Sequence, residues 1–384
     1  MGTDATTSCR FAGLGLASVV ALGMGLAAPA QAQTDGAPRD DSAVVIVTAT
    51  RSPAGSLSVP ASVSVVGEAE LRARHALRLG DVLADVPGLY VRGAAMGAGF
   101  PGSGASVLSL RGIPRTPRTL VMIDGHPLNN ALSGGVNVAG IPLDAIARVE
   151  VVRGPYSALY GGNAMGGVVN FITAGPDRPL TELRLGAGAL GQRGAKLVYR
   201  RRYESGLGVT LSAGTHESDG HPDSDYVVKQ PAAGVAGTPV TGARATTTPD
   251  GTPGYWVGLK GARPWTQSHA QLSLHYGPTP STQLSAGFAW AEYRVGYSPP
   301  DTFLRNALGA PVSSGSVIFN GTQRLAMAET DFLTATPAHE RDLRLFARLE
   351  HRFDDGSMLR ASLGTLRHLF RFVQASSGLA GYAG

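Results

Sequence analysis

Two hydrophobic patterns divide the chain near residue 175. Before it, short continuous apolar runs such as residues 149–152 and 168–172 are mixed with apolar residues at helical spacing. Beyond residue 180, apolar and polar residues alternate with a period of two, as in residues 284–290. The first part therefore predicts an α+β domain, with a short helix at residues 141–148, and the second predicts antiparallel strands with one apolar and one polar face.

The connectors between the alternating segments also fall into two classes. Short ones at residues 204–206, 277–281 and 354–357 alternate with long ones at residues 216–264 and 296–340. Strands of about ten residues joined alternately by short turns and long loops are typical of transmembrane β-barrels. The alternative is a soluble β-sandwich, which this alternation disfavours. We expect about seven strands within residues 180–384.

The first 60 residues predict an export signal followed by a flexible segment. Arg10, an apolar run at residues 11–28 and the sequence Ala30-Gln31-Ala32 predict a signal peptide of residues 1–32, cleaved after Ala32. The alternative is a transmembrane anchor, but the run contains four glycines and barely reaches the roughly 20 apolar residues required. Residues 33–60 contain a β-prone stretch that could pair with the sheet edge of another protein: Val44, Val45, Ile46, Val47, Thr48 and Ala49.

Composition and motifs exclude several classes of function. A net charge of +5 without a dense basic run argues against a nucleic-acid partner. The single cysteine, Cys9, lies in the predicted signal peptide, so the mature chain has no thiol for a disulfide or a thiolate metal site. Gly97, Gly99 and Gly102 have dinucleotide-motif spacing, but no helix is predicted after them, so we expect no nucleotide cofactor.

The remaining polar residues do not indicate catalysis. No Ser/His/Asp or paired-carboxylate arrangement stands out, so we expect no enzyme. The acidic and histidine-rich residues 216–225 could hold a divalent cation, but a solvated loop is the commoner arrangement, and we predict no metal site.

Four segments of the first part occur together: LGDVLADVPGLYV at residues 79–91, LSLRGIPR at 108–115, LVMIDGHPLN at 120–129 and ARVEVVRGPYSALYGGNAMGGVVNFIT at 147–173. In this order they closely resemble the plug domain of TonB-dependent outer-membrane receptors. The resemblance implies a plug at residues 61–175, the N-terminal portion of a transmembrane barrel at residues 180–384, and a TonB box at residues 44–49. Because the family's barrel has 22 strands, we expect an incomplete barrel from a fragment or a truncated reading frame.

The resemblance also implies partners and cargo. They are TonB with ExbB and ExbD, outer-membrane lipid, and a scarce nutrient. A ferric siderophore is the first expectation; cobalamin, haem or another metal chelate is the alternative. Two functions of other classes stay open: a passive pore or adhesin, and a secreted soluble binding domain.

Site residues follow from the resemblance in two groups. Arg111 and Arg153, with Glu150 and Asp124, are expected in a polar lock between plug and barrel. The alternative is that the arginines are exposed or pair locally with Glu150 or Asp124. The plug loops expected to contact ligand are residues 93–106 and 128–137, and the residues chosen in them are Met96, Phe100, Asn129, Asn130 and Asn137.

Overall fold

The computed structural model describes a series of segments that covers most of the chain beyond residue 61. They are residues 46–47, 54–55, 62–73, 83, 85–92, 105–111, 118–131, 134–221, 226–232, 236–248, 250–296, 298–332 and 338–371. The predicted signal peptide with Ala32, most of the TonB-box segment (Val44, Val45, Thr48 and Ala49) and the loop residues Met96 and Phe100 lie outside these segments. Ile46–Val47 (β1) pairs antiparallel with Ala54–Gly55 (β2). Within the described segments, no helix has the length and apolarity needed to cross a membrane.

The N-terminal domain, residues 62–173, is a small α+β unit. Its elements are β3 (Ser62–Gly67), a helix (Glu68–Ala73), β4 (Leu89–Arg92), β5 (Ala105–Leu110), β6 (Thr119–Ile123), β7 (His126–Pro127), β8 (Val136–Asn137), 3-10 turns (Val138–Gly140 and Leu143–Ala145), β9 (Ile146–Arg153), a helix (Ser157–Tyr160) and β10 (Gly167–Thr173). Five strands form one sheet in the order β3-β9-β10-β6-β7, with only β10 and β6 parallel. A second small sheet has the order β4-β5-β8.

The main sheet of this domain is buried on both faces, which explains its continuous apolar runs. Val149, Val151 and Phe171 belong to the core cluster on one face, whereas Val152 and Val168 belong to the cluster on the other. Gly167 has a φ of 145°, and a Cβ there would lie 2.3 Å from the Val152 carbonyl oxygen. Only glycine allows β9 and β10 to approach this closely.

One predicted element of this domain is wrong. The spacing of residues 141–148 suggests a short helix, but the chain forms only the 3-10 turn Leu143–Ala145 before β9 begins at Ile146. The reason is that β9 pairs with both β3 and β10, and this ladder takes the backbone groups that a helix would use.

The long sheet contains seven antiparallel strands in the order β11-β12-β13-β18-β19-β23-β24. Their bounds are β11 (Leu180–Ala187), β12 (Arg193–Arg202), β13 (Leu207–Ser218), β18 (Trp265–Thr279), β19 (Thr282–Val295), β23 (Ala338–Arg352) and β24 (Met358–Arg371). β11 and β24 are its edges within the described residues.

The two faces of the long sheet are inverted relative to those of a soluble protein. Its outward face exposes large apolar side chains, with Leu345 50% and Leu363 77% exposed. The opposite face carries buried polar residues, among them Arg200 at 4% and Glu340 at 1% exposure. Apolar-out and polar-in alternation confirms the predicted transmembrane barrel strands packed around an α+β domain.

The described parts of the two long loops form one folded body, which we call the loop unit (described residues within 219–264 and 296–332). Its strands are β14 (Tyr226–Lys229), β15 (Thr238–Val240), β16 (Arg244–Thr247), β17 (Pro253–Leu259), β20 (Asp301–Thr302), β21 (Gly315–Phe319) and β22 (Gln323–Met327), and a 3-10 turn follows (Glu329–Phe332). β15 of the first loop pairs with β21 of the second, and β17 pairs with β20. Val257 and Leu304, one from each loop, are both 0% exposed in a shared core.

Candidate functional site

The polar face of the long sheet holds the N-terminal domain, and three contacts between them stand out. The first involves the turn between β6 and β7. Asp124 has a φ of 50°, and its carboxylate accepts hydrogen bonds from the Thr173 backbone N–H (2.9 Å) and Oγ1 (2.8 Å). The Gly125 N–H donates to Asn170 Oδ1 at 3.2 Å. The turn is therefore tied to β10.

The same turn rests on a seat formed by three inward positions of the long sheet: Phe346, Arg348 and Gly364. Arg348 Nη2 donates to the Asp124 carbonyl oxygen. The rings of His126 and Phe346 lie 5.4 Å apart. A Cβ at residue 364 would come within 2.9 Å of His126 Nδ1, so glycine at this position makes room for the imidazole.

His126 is held neutral in this seat. It is 8% exposed. Burial lowers its pKa from 6.5 to about 4, and the positive charges of Arg348 and Arg344 act in the same direction against Asp124. An uncharged ring is therefore the form that packs here at neutral pH.

The second contact centres on Glu68, in the first turn of the helix that follows β3. Its carboxylate lies 3.0 Å from Arg178 and 3.6 Å from Arg200 of β12. The Nε and Nη1 atoms of Arg200 are buried without a hydrogen-bond partner among the described residues. Because a buried guanidinium is costly without a carboxylate, Glu68 is an electrostatic anchor for β12.

The third contact also pairs an acid of the N-terminal domain with bases of the long sheet. Asp144, in the 3-10 turn before β9, lies 3.1 Å from Arg184 of β11 and 2.8 Å from Lys196 of β12. In the pairs Glu68–Arg200, Asp144–Arg184 and Asp144–Lys196 the acid comes from the N-terminal domain and the base from the long sheet. Arg184 is half-exposed, and an ion pair at such a position contributes little to stability, so the Asp144–Arg184 pair can break and re-form at small cost.

Carboxylates also lie on the inner face near the loop end of β23. Asp342 pairs with His368 Nδ1 at 2.6 Å, and Glu340 lies 3.8 Å from His368 Nε2. Neither carboxylate oxygen of Glu340 has a hydrogen-bond partner among the described residues. The described part of the chain contains no group of three or more His, Cys, Asp or Glu side chains arranged to hold a metal ion.

The four residues of the predicted lock lie in different surroundings. Arg153 donates to the Pro87 carbonyl oxygen (2.8 Å), Ser62 Oγ (3.1 Å) and Ser64 Oγ (2.8 Å), all within its own domain. Burial and the nearby charge of Arg111 lower the pKa of Arg153.

Arg111 is exposed, and Glu150 is fully buried with Arg148 at 2.9 Å. Of the four residues, Asp124 contacts the long sheet, through its backbone carbonyl. A lock formed by Arg111, Arg153 and Glu150 with barrel strands stays a prediction.

The three described asparagines of the predicted ligand loops brace the backbone. Asn129 Oδ1 accepts from the Val121 N–H at 2.8 Å, and its Nδ2 donates to two carbonyl oxygens. Asn130 donates to the Gly135 carbonyl oxygen at 3.1 Å, and Asn137 caps the turn Val138–Gly140. Their direct contact with a ligand stays a prediction.

Sequence reasoning missed Glu68, Asp144, Arg200 and Lys196 as interdomain residues. A signal was present for the bases, because Arg184, Lys196 and Arg200 fall at polar-face positions of strands whose other face is apolar. It did not indicate their partners, because pairing depends on how the domain sits against the sheet.

Residues 56–168 match the family described as TonB-dependent Receptor Plug Domain. The vitamin B12 transporter BtuB of Vibrio vulnificus (strain CMCP6) is 35% identical over 192 residues, which are 50% of this chain and 30% of that protein. The iron-regulated outer membrane virulence protein of Vibrio cholerae (strain O395) is 35% identical over 161 residues, 40% of this chain and 23% of that one.

A solved structure extends the likeness beyond the N-terminal domain. The pyoverdine outer membrane receptor FpvA of Pseudomonas aeruginosa PAO1 matches 86% of this chain and 41% of its own, with a TM-score of 0.52 at 17% identity. At that identity the match supports the fold alone. This chain spans about a third or less of the length of the curated relatives that it matches.

Proposed function

We propose that this chain, which carries a TonB-dependent receptor plug domain followed by strands of the receptor barrel, serves in the active uptake of a scarce nutrient across the outer membrane. The observation that carries the proposal is the seating of the N-terminal domain on the polar face of a sheet whose outward face is apolar. That domain would close the barrel, and its ionic contacts through Glu68 and Asp144 would allow rearrangement.

Energy for rearrangement would come from TonB, with ExbB and ExbD, pulling on residues 44–49. β3 is the first strand of the domain's main sheet reached from that segment. Within the described residues it lies at the sheet edge and pairs with β9 alone. A pull would load the β3–β9 ladder first, together with the bonds from Arg153 to Ser62 and Ser64. Glu68, directly after β3, would follow and release Arg200.

The cargo is proposed as a class. A ferric siderophore is our first candidate, since pyoverdine is bound in the structural neighbour FpvA. Cobalamin is the second candidate, favoured by the relatives that are named vitamin B12 transporters. Uptake of a radiolabelled ferric siderophore and of radiolabelled cobalamin by cells that express the full-length protein would distinguish the two.

Deleting residues 44–49 from the full-length protein tests the energy coupling. We expect uptake to be abolished, while binding of the same labelled ligand to isolated outer membranes is unchanged. A matched deletion of six residues from 33–42 is the control, since it shortens the leader without touching the segment. Undiminished uptake after deletion of 44–49 would refute the proposal, and ion conductance without TonB would favour a passive pore.

A further inference from the structure

A buried carboxyl group lies where the N-terminal domain meets the loop end of the long sheet. Glu340 of β23 is 1% exposed, and neither of its carboxylate oxygens has a hydrogen-bond partner among the described residues. His368 Nε2 lies 3.8 Å from it, beyond hydrogen-bond distance, whereas His368 Nδ1 lies 2.6 Å from Asp342. The register places the aromatic residues Tyr293 and Phe370 on either side of Glu340. Within the described part of the chain, Glu340 is therefore enclosed without a donor.

The charges around Glu340 oppose its ionisation. Asp342 lies two residues along the same face of β23, and its negative charge is balanced by His368 and by the nearby Arg344. The Arg344 guanidinium is turned toward Gln271, to which its Nη2 donates at 3.2 Å. A second carboxylate beside Asp342 would be repelled and would lack a hydrogen bond, and burying such a charge is costly. Glu340 therefore carries a proton in this arrangement.

The same cluster contacts one segment of the N-terminal domain, residues 136–140. β8 packs against β23, and the 3-10 turn that follows it packs against β18 and β19. Asn137 approaches Asp342, and its Nδ2 is buried without a hydrogen-bond partner among the described residues. A Cβ at Gly140 would lie 3.5 Å from the Ala291 Cβ, so the turn touches the sheet. Residues 136–140 carry no charged side chain, so they cannot balance a charge on Glu340.

We propose that a proton on Glu340 controls whether residues 136–140 are seated on the long sheet. With the proton bound, the neutral carboxyl group stays buried under this segment. When the proton leaves to solvent, the carboxylate must reach water, and the segment lifts from the sheet to let it do so. The lifted form binds one proton fewer, so rising pH favours it by up to about tenfold per pH unit. This inference rests on how the domain sits on the sheet and not on the transport activity.

Hydrogen exchange of the full-length protein, purified in a non-ionic detergent without ligand, tests the inference. Exchange of the amides of residues 136–140 is followed by mass spectrometry from about pH 6 to about pH 9 and corrected for the intrinsic pH dependence of amide exchange. Glu340→Gln keeps the shape of the side chain and is uncharged at every pH. The matched control is Glu350→Gln, on the same face of β23 but at its short-turn end, where Arg360 lies 2.8 Å away.

We expect the protection of residues 136–140 to fall about tenfold or more across this pH range in the wild type and in Glu350→Gln, and to stay constant in Glu340→Gln. Protection of β10, in the middle of the domain's main sheet, should be the same in all three proteins, which separates lifting of the segment from unfolding. Constant protection in the wild type, or an equal pH response in the wild type and Glu340→Gln, would overturn the inference.

His368→Gln distinguishes the two groups that could release the proton. The glutamine amide can still donate to Asp342, so the pH response of residues 136–140 should persist in this variant. Its loss would assign the proton to the histidine and overturn the role of Glu340. Exchange is measured without any cargo, so the two proposals fail separately. Absent uptake contradicts the proposed function alone, and pH-independent exchange contradicts the proton site alone.

Discussion

Glu68 and Arg200 join the N-terminal domain to the long sheet across 3.6 Å, with Arg200 4% exposed. Replacing Glu68 by glutamine keeps the shape of the side chain but leaves the buried guanidinium without that charge. We expect the free energy of unfolding to fall by about 2 kcal/mol in a urea titration of the detergent-solubilised protein. Glu204→Gln, at an exposed position in the turn that follows β12, is the control and should change it by less than about 0.5 kcal/mol. Equal effects of the two substitutions would contradict the anchoring role.

Gly364→Ala tests the seat of His126. The added Cβ would lie 2.9 Å from His126 Nδ1, so the imidazole or the strand must shift. We expect a loss of about 1–3 kcal/mol, measured by thermal unfolding. Gly186→Ala in β11 is the matched control, because nothing lies within 4 Å of a Cβ there.

A double-mutant cycle that combines Gly364→Ala with His126→Ala tests directly whether the two positions interact. Removing the imidazole removes the clash, so Gly364→Ala should cost little in the His126→Ala background. A coupling near zero between the two positions would show that Gly364 is not there to make room for His126.

Acidification should weaken the packing of His126 against Phe346 and Gly364. The pKa of His126 is lowered from 6.5 to about 4, so between these pH values the unfolded chain binds a proton that the folded protein does not. The free energy of unfolding therefore falls as the pH falls through this window, by up to roughly 3 kcal/mol. His126→Asn should flatten that part of the pH profile. Parallel profiles for wild type and variant would contradict it.

Asp124→Ala should be more harmful than Asp124→Asn. Both lose charge-assisted bonds to Thr173, but alanine also pays for the left-handed conformation at φ 50°, which asparagine tolerates. We expect losses of about 2–3 kcal/mol for alanine and about 1 kcal/mol for asparagine, measured by chemical denaturation. The control measures hydrogen exchange of the β10 amides, which the Asp124 variants should speed up. Asp250→Asn in the loop unit changes a similar turn carboxylate, which bonds Thr248 and Thr252, and should leave that exchange unchanged.

The shared core of the loop unit predicts that damage in one loop is felt in the other. Leu304 is 0% exposed, and its truncation to alanine should cost about 3 kcal/mol. Limited proteolysis should then cut both residues 219–264 and residues 296–332. Leu308→Ala, at a 92% exposed turn, is the control and should leave both loops resistant. Cleavage confined to the second loop would show that the loops fold independently.

Periodicity located the elements better than it located the contacts. Alternation at residues 284–290 falls within β19, and the apolar runs at 149–152 and 168–172 fall within β9 and β10, because burial on one or two faces leaves a direct mark on the sequence. The aromatic residues were harder to assign. Tyr255 and Trp256, which suit a membrane-interface girdle as well as a core, pack in the loop unit against Phe319 and Tyr226.

The polar contacts were the least predictable. The resemblance suggests that Arg153 makes an interdomain contact, yet its hydrogen bonds go to Ser62, Ser64 and Pro87. The two serines are within reach because β3 pairs with β9. Lys196 and Asp144 are 52 positions apart, and only the docking of the domain on the sheet makes them neighbours. Such pairs are set by tertiary register, which no local pattern records.

The parallel pairing of β15 with β21 limits how the two long loops can be exchanged between related proteins. Within the described residues, each sheet of the loop unit takes strands from both long loops. A chimera that received one loop from a relative would therefore have an unpaired strand edge and an incomplete hydrophobic core. A chimera should therefore fold correctly only when both loops come from the same parent protein.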